Sequence, residues 1–205
     1  SKGEEPFFMS FFSNTSGADW LIAGLGNPES KYEGTRHNAG FAALDYLAAQ
    51  WKCDIAKSKW QGLYGVTTVG DHKVMLLKPL TYMNLSGQSI APAAQFYKIP
   101  HDHVIVLCDD ITQEPGHLRI RASGSAGGHN GLKSIIQSLG GEDFPRVRIG
   151  VGAKPHPEYD LAAWVLGKFP PEAAKAMTDR YPDIETACRL IMDGKLGEAQ
   201  NRCNH

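Results

Sequence analysis

Apolar residues fall in short, separated blocks along the chain, and the spacing within each block sets the element it predicts. Trp20-Leu21-Ile22-Ala23-Gly24-Leu25 is a continuous apolar run of strand length that opens into Gly26-Asn27-Pro28-Glu29-Ser30, a loop of backbone breakers. Phe41, Leu44, Leu47, Ala48 and Trp51 then recur at helical spacing, which predicts a helix over about 39–49 with Asn38 as its N-cap. Two strand-like runs, 63–69 and 73–77, flank Gly70-Asp71-His72, the turn chemistry of an antiparallel hairpin. Thr81-Tyr82-Met83-Asn84-Leu85-Ser86-Gly87 follows, and Ala91, Ala94, Gln95 and Tyr97 carry a helical stretch to Lys98.

Val104 to Leu107 is short, apolar and β-branched, and it ends abruptly at Cys108-Asp109-Asp110, as a central strand does when its C-terminal end presents carboxylates. His117 to Ala122 alternates, and the glycine-rich run from Ser123 to Gly131 leads into a helix over about 132–139. Arg146 to Val151 is a further strand, and the remainder from Pro170 is helical, with Pro182 separating two pieces. This alternation predicts a single three-layer α/β/α domain with a mixed, mostly parallel central sheet. The boundaries place it at 20–205, with 1–19 as an N-terminal extension whose stretch before Met9 is either native or an expression remnant.

Length and composition agree with that picture. A chain of 205 residues, 42% hydrophobic and 21% charged, buries a core without help and is neither disordered nor fibrous. No apolar run reaches membrane-spanning length, and the cluster Phe7, Phe8, Met9, Phe11, Phe12 is broken by serines, so neither a membrane span nor a signal peptide is expected. Cys53, Cys108, Cys188 and Cys203 form no CxxC pair, which suits reduced thiols in a cytoplasmic protein.

The net charge of −1 conceals an uneven distribution. Residues 115–154 hold six basic against two acidic side chains, whereas 1–114 and 155–205 are each net acidic. A local basic face of this kind is sufficient for a polyanion.

Several familiar motifs fail. The third glycine of a dinucleotide fingerprint would fall at Glu29, and the 124–131 loop ends His129-Asn130-Gly131 rather than with the lysine of a P-loop. No serine lies in GxSxG, and no cysteine has a local protease signature, so water is the expected nucleophile. His101 and His103 have no metal-ligand partner at suitable spacing, and no metal or cofactor is expected. His37 ends a Gly/Asn/Pro loop after the first strand, where a histidine serves either as a general base or as a surface residue. Asp109 and Asp110 either form a turn or hold an imidazole in one tautomer. Asn27, Asn84 and Asn130 are ordinary turn residues, or neutral amides suited to engaging a peptide backbone.

Taken in order, GLGNP (24–28), TRHNAG (35–40), TYMNLSG (81–87), GGHNGLKSI (127–135) and RVRIGVG (146–152) resemble the bacterial-type peptidyl-tRNA hydrolase family over about residues 20–200. The resemblance implies a cytoplasmic, monomeric, metal-independent enzyme that cleaves the ester between peptide and tRNA in peptidyl-tRNA. It implies His37 as catalytic base, Asp109 as the carboxylate that keeps it basic, and Asn27 as the residue that distinguishes blocked from free aminoacyl groups. Tyr32, Tyr82, Asn84 and Asn130 match substrate-binding positions. Arg119, Arg121, Lys133, Arg146 and Arg148 match basic residues that bind the tRNA acceptor stem, and the expectation is that they form one exposed face. Cys108, where His is common, and the polar run Ile111-Thr112-Gln113-Glu114 depart from the family pattern. A splicing cofactor of the same fold, binding RNA without catalysis, is the alternative, and a nucleotide-dependent dehydrogenase is a third reading weakened by Glu29.

Overall fold

A computed structural model describes residues 17–205, so residues 1–16, most of the extension expected over 1–19, lie outside the description. Seven strands form one sheet: β1 (Trp20–Gly24), β2 (Lys57–Lys59), β3 (Gly62–Val69), β4 (His72–Pro79), β5 (Val104–Asp110), β6 (Leu118–Arg121) and β7 (Arg146–Gly150), in the order β2-β3-β4-β1-β5-β7-β6. The four central strands are parallel, and both edges are antiparallel. The hairpin is as expected, with Val69 opposite His72. The short exposed strand β2, whose sequence is Lys-Ser-Lys, carries no apolar pattern and was not anticipated.

The period-2 alternation of the strands divides the core in two. Ile22, Leu76, Ile105, Leu107 and Val147 face α1 (Ala39–Gln50), α5 (Pro171–Thr178), α6 (Tyr181–Met192) and α7 (Leu196–Cys203). Leu21, Ala23, Met75, Leu77 and Val106 face α2 (Gly87–Phe96) and α3 (Asn130–Leu139) on the other side. A one-and-a-half-turn helix, α4 (Leu161–Val165), lies in the long connection after β7. Pro182 falls in the first turn of α6, the break before it being at Asp179–Arg180, and a second break at Asp193–Lys195 separates α6 from α7.

Glycines set how closely α1 sits on the sheet. A Cβ on Gly24 would lie 2.4 Å from the Gly40 carbonyl oxygen, and one on Gly40 would lie 2.3 Å from that of Leu107. These contacts account for GLG and NAG as close backbone approaches rather than phosphate loops. The chain leaves β1 over one face and β4 over the other, so a crevice opens at the carboxyl ends of β1, β4 and β5, where ligands gather in such sheets.

Candidate active site

The carboxyl ends of β1, β4 and β5 and the segments that follow them deliver side chains to the crevice. Asp109, near the end of β5 and 4% exposed, is the centre: its Oδ2 accepts from His37 Nδ1 at 2.8 Å and its Oδ1 accepts from His129 Nε2 at 2.8 Å. His37 comes from the single 3₁₀ turn Arg36–Asn38 before α1, and His129 from the residue before α3. The carboxylate thus joins histidines from opposite faces of the sheet.

His129 settles the tautomers. Its Nδ1 accepts from the backbone N–H groups of Gly131 and Leu132 at 3.1 and 3.2 Å, capping α3, so its proton must sit on Nε2, pointing at Asp109. The ionised Asp109 then takes a second proton donor from His37 Nδ1, leaving His37 Nε2 as the free lone pair. Burial alone would push the Asp109 carboxyl up, but the adjoining His129 and the hydrogen bonds from both imidazoles outweigh it and hold the carboxyl well below the usual carboxylate range. Gly131 is required here, because a Cβ would lie 2.9 Å from His129 Cε1 and 2.7 Å from Met83 Sδ.

Asp110 does something different. Its Oδ1 accepts from the N–H and the hydroxyl of Thr112 at 2.8 and 2.6 Å, the turn-forming alternative, and this closes the polar segment that departs from the family pattern. Cys108 is buried, and burial pushes its thiol well above the usual range, so it is inert packing.

Asn27 is buried and held on every side but one. Its Oδ1 accepts from Met83 N–H at 2.8 Å, its N–H donates to Asn38 Oδ1 at 2.8 Å, and its carbonyl accepts from Asn38 Nδ2 at 3.0 Å. With Oδ1 fixed by a backbone donor, only the Asn27 amide NH₂ remains for a ligand. Asn38, expected as a helix cap, caps nothing with its side chain; it is spent on Asn27 instead.

These groups line a cleft of about 480 Å³ that holds Asn27, His37, Tyr82, Asn84, Asp109 and Asn130 among its walls. The three asparagines therefore converge. Tyr82 is half-exposed and donates its hydroxyl to Glu29 Oε1. Tyr32 is not among the residues that line this cleft; it sits in the turn Ser30–Tyr32 with the Lys31 ammonium 5.0 Å from its ring centroid.

The basic residues separate into two groups. Arg119 pairs with Arg148, and Arg121 with Arg146, across β6 and β7, which puts all four on one sheet face beside α3. Arg119 and Arg148 are half-buried, Arg121 and Lys133 are exposed, and no carboxylate pairs with any of them among the described residues. Arg146 is a correction. It is 0% exposed, and its guanidinium donates to the carbonyls of Gly124, Glu142 and Phe144 at 2.8, 2.8 and 3.1 Å, pinning the glycine-rich loop from beneath. It belongs to the scaffold of the basic face and is absent from its surface.

His129 is a member of the Asp109 cluster to which sequence reasoning gave no role. The available signal was a histidine in the slot where Ser, Thr, Asp or Asn normally begins a helix. Nδ1 of His37, Asp109 and Nε2 of His129 lie within 4.8 Å of one another, a spacing compatible with a metal. The donor set does not fit one: with Nδ1 committed to two N–H groups, His129 would have to bind as an imidazolate.

Fold and cleft together define an α/β enzyme of the hydrolase type, with a histidine–carboxylate pair and neutral amides at the carboxyl edge of the sheet. The sequence model of one such group, peptidyl-tRNA hydrolase, matches residues 21–205, and the chain belongs to that family. It is 49% identical over 184 residues to a peptidyl-tRNA hydrolase of Clostridium perfringens, covering 90% of this chain and 96% of that one. A second relative, the peptidyl-tRNA hydrolase of Symbiobacterium thermophilum, is 48% identical over 186 residues, covering 90% and 98%. The crystal structure of peptidyl-tRNA hydrolase from Acinetobacter baumannii superposes with a TM-score of 0.86 at 36% identity, covering 93% of this chain and 97% of that one.

Proposed function

We propose that this chain hydrolyses the ester joining a peptide to tRNA, with water as nucleophile and His37 as general base. The observation that carries the reading is the fixed tautomer: His129 and Asp109 together keep the proton on His37 Nδ1 and the lone pair on Nε2. Nε2 takes a proton from water as its oxygen attacks the ester carbonyl carbon. The resulting imidazolium is stabilised by Asp109, and it returns that proton to the ribose oxygen as the carbon–oxygen bond breaks. An ester has a good leaving group, so positioning, one base and a few donors are sufficient, and the reading routes no step through a metal.

The Asn27 NH₂ acts as donor to a substrate carbonyl, with Asn84 and Asn130 engaging the acyl amide and Tyr82 forming one wall. An unblocked aminoacyl group offers an ammonium instead of an acyl carbonyl, so its binding forfeits the hydrogen bond and incurs the cost of desolvating that charge. Arg119, Arg121, Lys133 and Arg148 hold phosphates of the acceptor stem without reading sequence. One copy carries every residue the reading uses, so the monomer is the working unit, and translation in the cytoplasm supplies its substrate.

A non-catalytic RNA-binding role is the weaker reading, since a binder has no use for an imidazole with an enforced tautomer. The deciding measurement is turnover of N-acetylaminoacyl-tRNA by His37→Ala. We expect a loss of about a hundredfold or more with binding retained. Undiminished turnover in that variant would remove the reading.

A further inference from the structure

The helix α4 supplies Leu161, Ala162 and Val165 to the cleft wall, and Leu166 continues it. Yet it is only five residues long and none of them is fully buried, so neither helix propensity nor core burial fixes its place. Arg36, the neighbour of His37, does. Its guanidinium carbon lies 3.5 Å from the centroid of the Trp164 ring and its Nη1 donates to the Trp164 carbonyl at 3.1 Å. The Arg36 N–H donates to Gly167 O at 3.0 Å, Thr35 forms a bridge to Lys168, and Trp164 Nε1 is tied in turn to Gly152 O at 2.9 Å.

Arg36 is an expensive residue to keep here. It is 8% exposed, no carboxylate pairs with it among the described residues, its Nε has no partner, and burial pulls its pKa below the usual arginine value. A cation desolvated without a counterion survives only where its surroundings define its position, and an indole face is the surface that best receives it. Gly167 completes the fit, since a Cβ there would stand 2.7 Å from Arg36 Nη1.

We infer that Arg36 is a positioning residue: through its stack on Trp164 it registers the apolar wall 161–166 against the His37 turn, and so sets how tightly the acyl part of the substrate is held. The inference builds on the proposed role of the cleft, and it can fail separately from that role. In Arg36→Lys the charge remains but the guanidinium over the indole and its Nη1 hydrogen bond are lost.

The test combines hydrogen–deuterium exchange with kinetics on the intact chain. Amides 161–166 should exchange about tenfold faster or more in Arg36→Lys and in Trp164→Leu, and KM for N-acetylaminoacyl-tRNA should rise about tenfold while kcat falls far less. The double variant should be no worse than either single one, because the two side chains act as a unit. Unchanged exchange at 161–166, or faster exchange with an unmoved KM, overturns the inference and leaves the His37 mechanism standing. A shifted pH profile of kcat with KM unmoved overturns it too, by making Arg36 an electrostatic neighbour of the base. Failure of the cleft assignment itself would appear instead in His37→Ala.

Discussion

Asp109→Asn is an unusually sharp probe, because the replacement offers one acceptor where the structure uses two. His129 cannot yield: its Nδ1 is held by the N–H groups of Gly131 and Leu132, so its Nε2 must donate. The new amide oxygen therefore turns to His129, and the amide NH₂ faces His37. His37 Nδ1 must then accept, which moves its proton to Nε2, where the lone pair for water is required. Reaching the reactive tautomer means flipping the amide, losing one hydrogen bond and opposing two donors in a buried site. At about 0.5–1.5 kcal/mol for the neutral bond and about 1–3 kcal/mol for the orphaned donor, the barrier rises by about 1.5–4.5 kcal/mol. That is a loss of about 10–10³ in kcat. Single-turnover hydrolysis of N-acetylaminoacyl-tRNA measures it, and imidazole ¹⁵N shifts report the tautomer. The same logic gives a rescue: His129→Ser still caps α3 but withdraws the competing donor, so adding it to Asp109→Asn should recover about tenfold or more by freeing the amide to rotate. If the double variant is no faster than Asp109→Asn, or if His37 in Asp109→Asn keeps its proton on Nδ1, the argument from enforced tautomers is wrong.

Asn27→Asp keeps the acceptor for Met83 N–H but replaces the free NH₂ with a second oxygen, so kcat/KM for blocked substrate should fall by about 10²-fold or more, and the preference for blocked over free aminoacyl-tRNA should shrink. An unaltered ratio of the two efficiencies would leave Asn27 as a turn residue. Arg119→Gln combined with Arg121→Gln should leave urea midpoints nearly unchanged while the salt slope of tRNA binding drops by about one per lost phosphate contact. Arg146→Met should do the reverse, costing about 3–5 kcal/mol in stability by orphaning the carbonyls of Gly124, Glu142 and Phe144, as denaturant titration would show.

What could be read from the sequence was whatever a local period or a local breaker encodes. β5 and its terminal carboxylates, the loop that carries His37, and the hairpin all follow from spacing within a dozen residues. What could not be read depends on partners far along the chain. The alternation of Arg146 and Arg148 puts both on one sheet face, but only the glycine loop folding over Arg146 decides that one is buried and the other lines the cleft. Asn38 has the residue type of a cap, yet the close approach of α1 to β1 places Asn27, eleven positions earlier, within its reach. His129 looked like part of a flexible loop because its partner Asp109 lies twenty residues before it. The wall at 161–166 has too few residues to show a period.

The carboxylate at the end of β5 also ties the site to the assembly of both helix layers. His37 arrives with the helix layer on one face of the sheet and His129 with the layer on the other, ninety-two positions later in the chain. His129 takes its tautomer from the N–H groups of its own Gly131 and Leu132, but His37 acquires its state only through Asp109, which both imidazoles share. On the proposed mechanism, a molecule with one layer still undocked has the residues of the site without the hydrogen-bond chain that orients its base, so a count of active sites becomes a count of molecules with both layers in place.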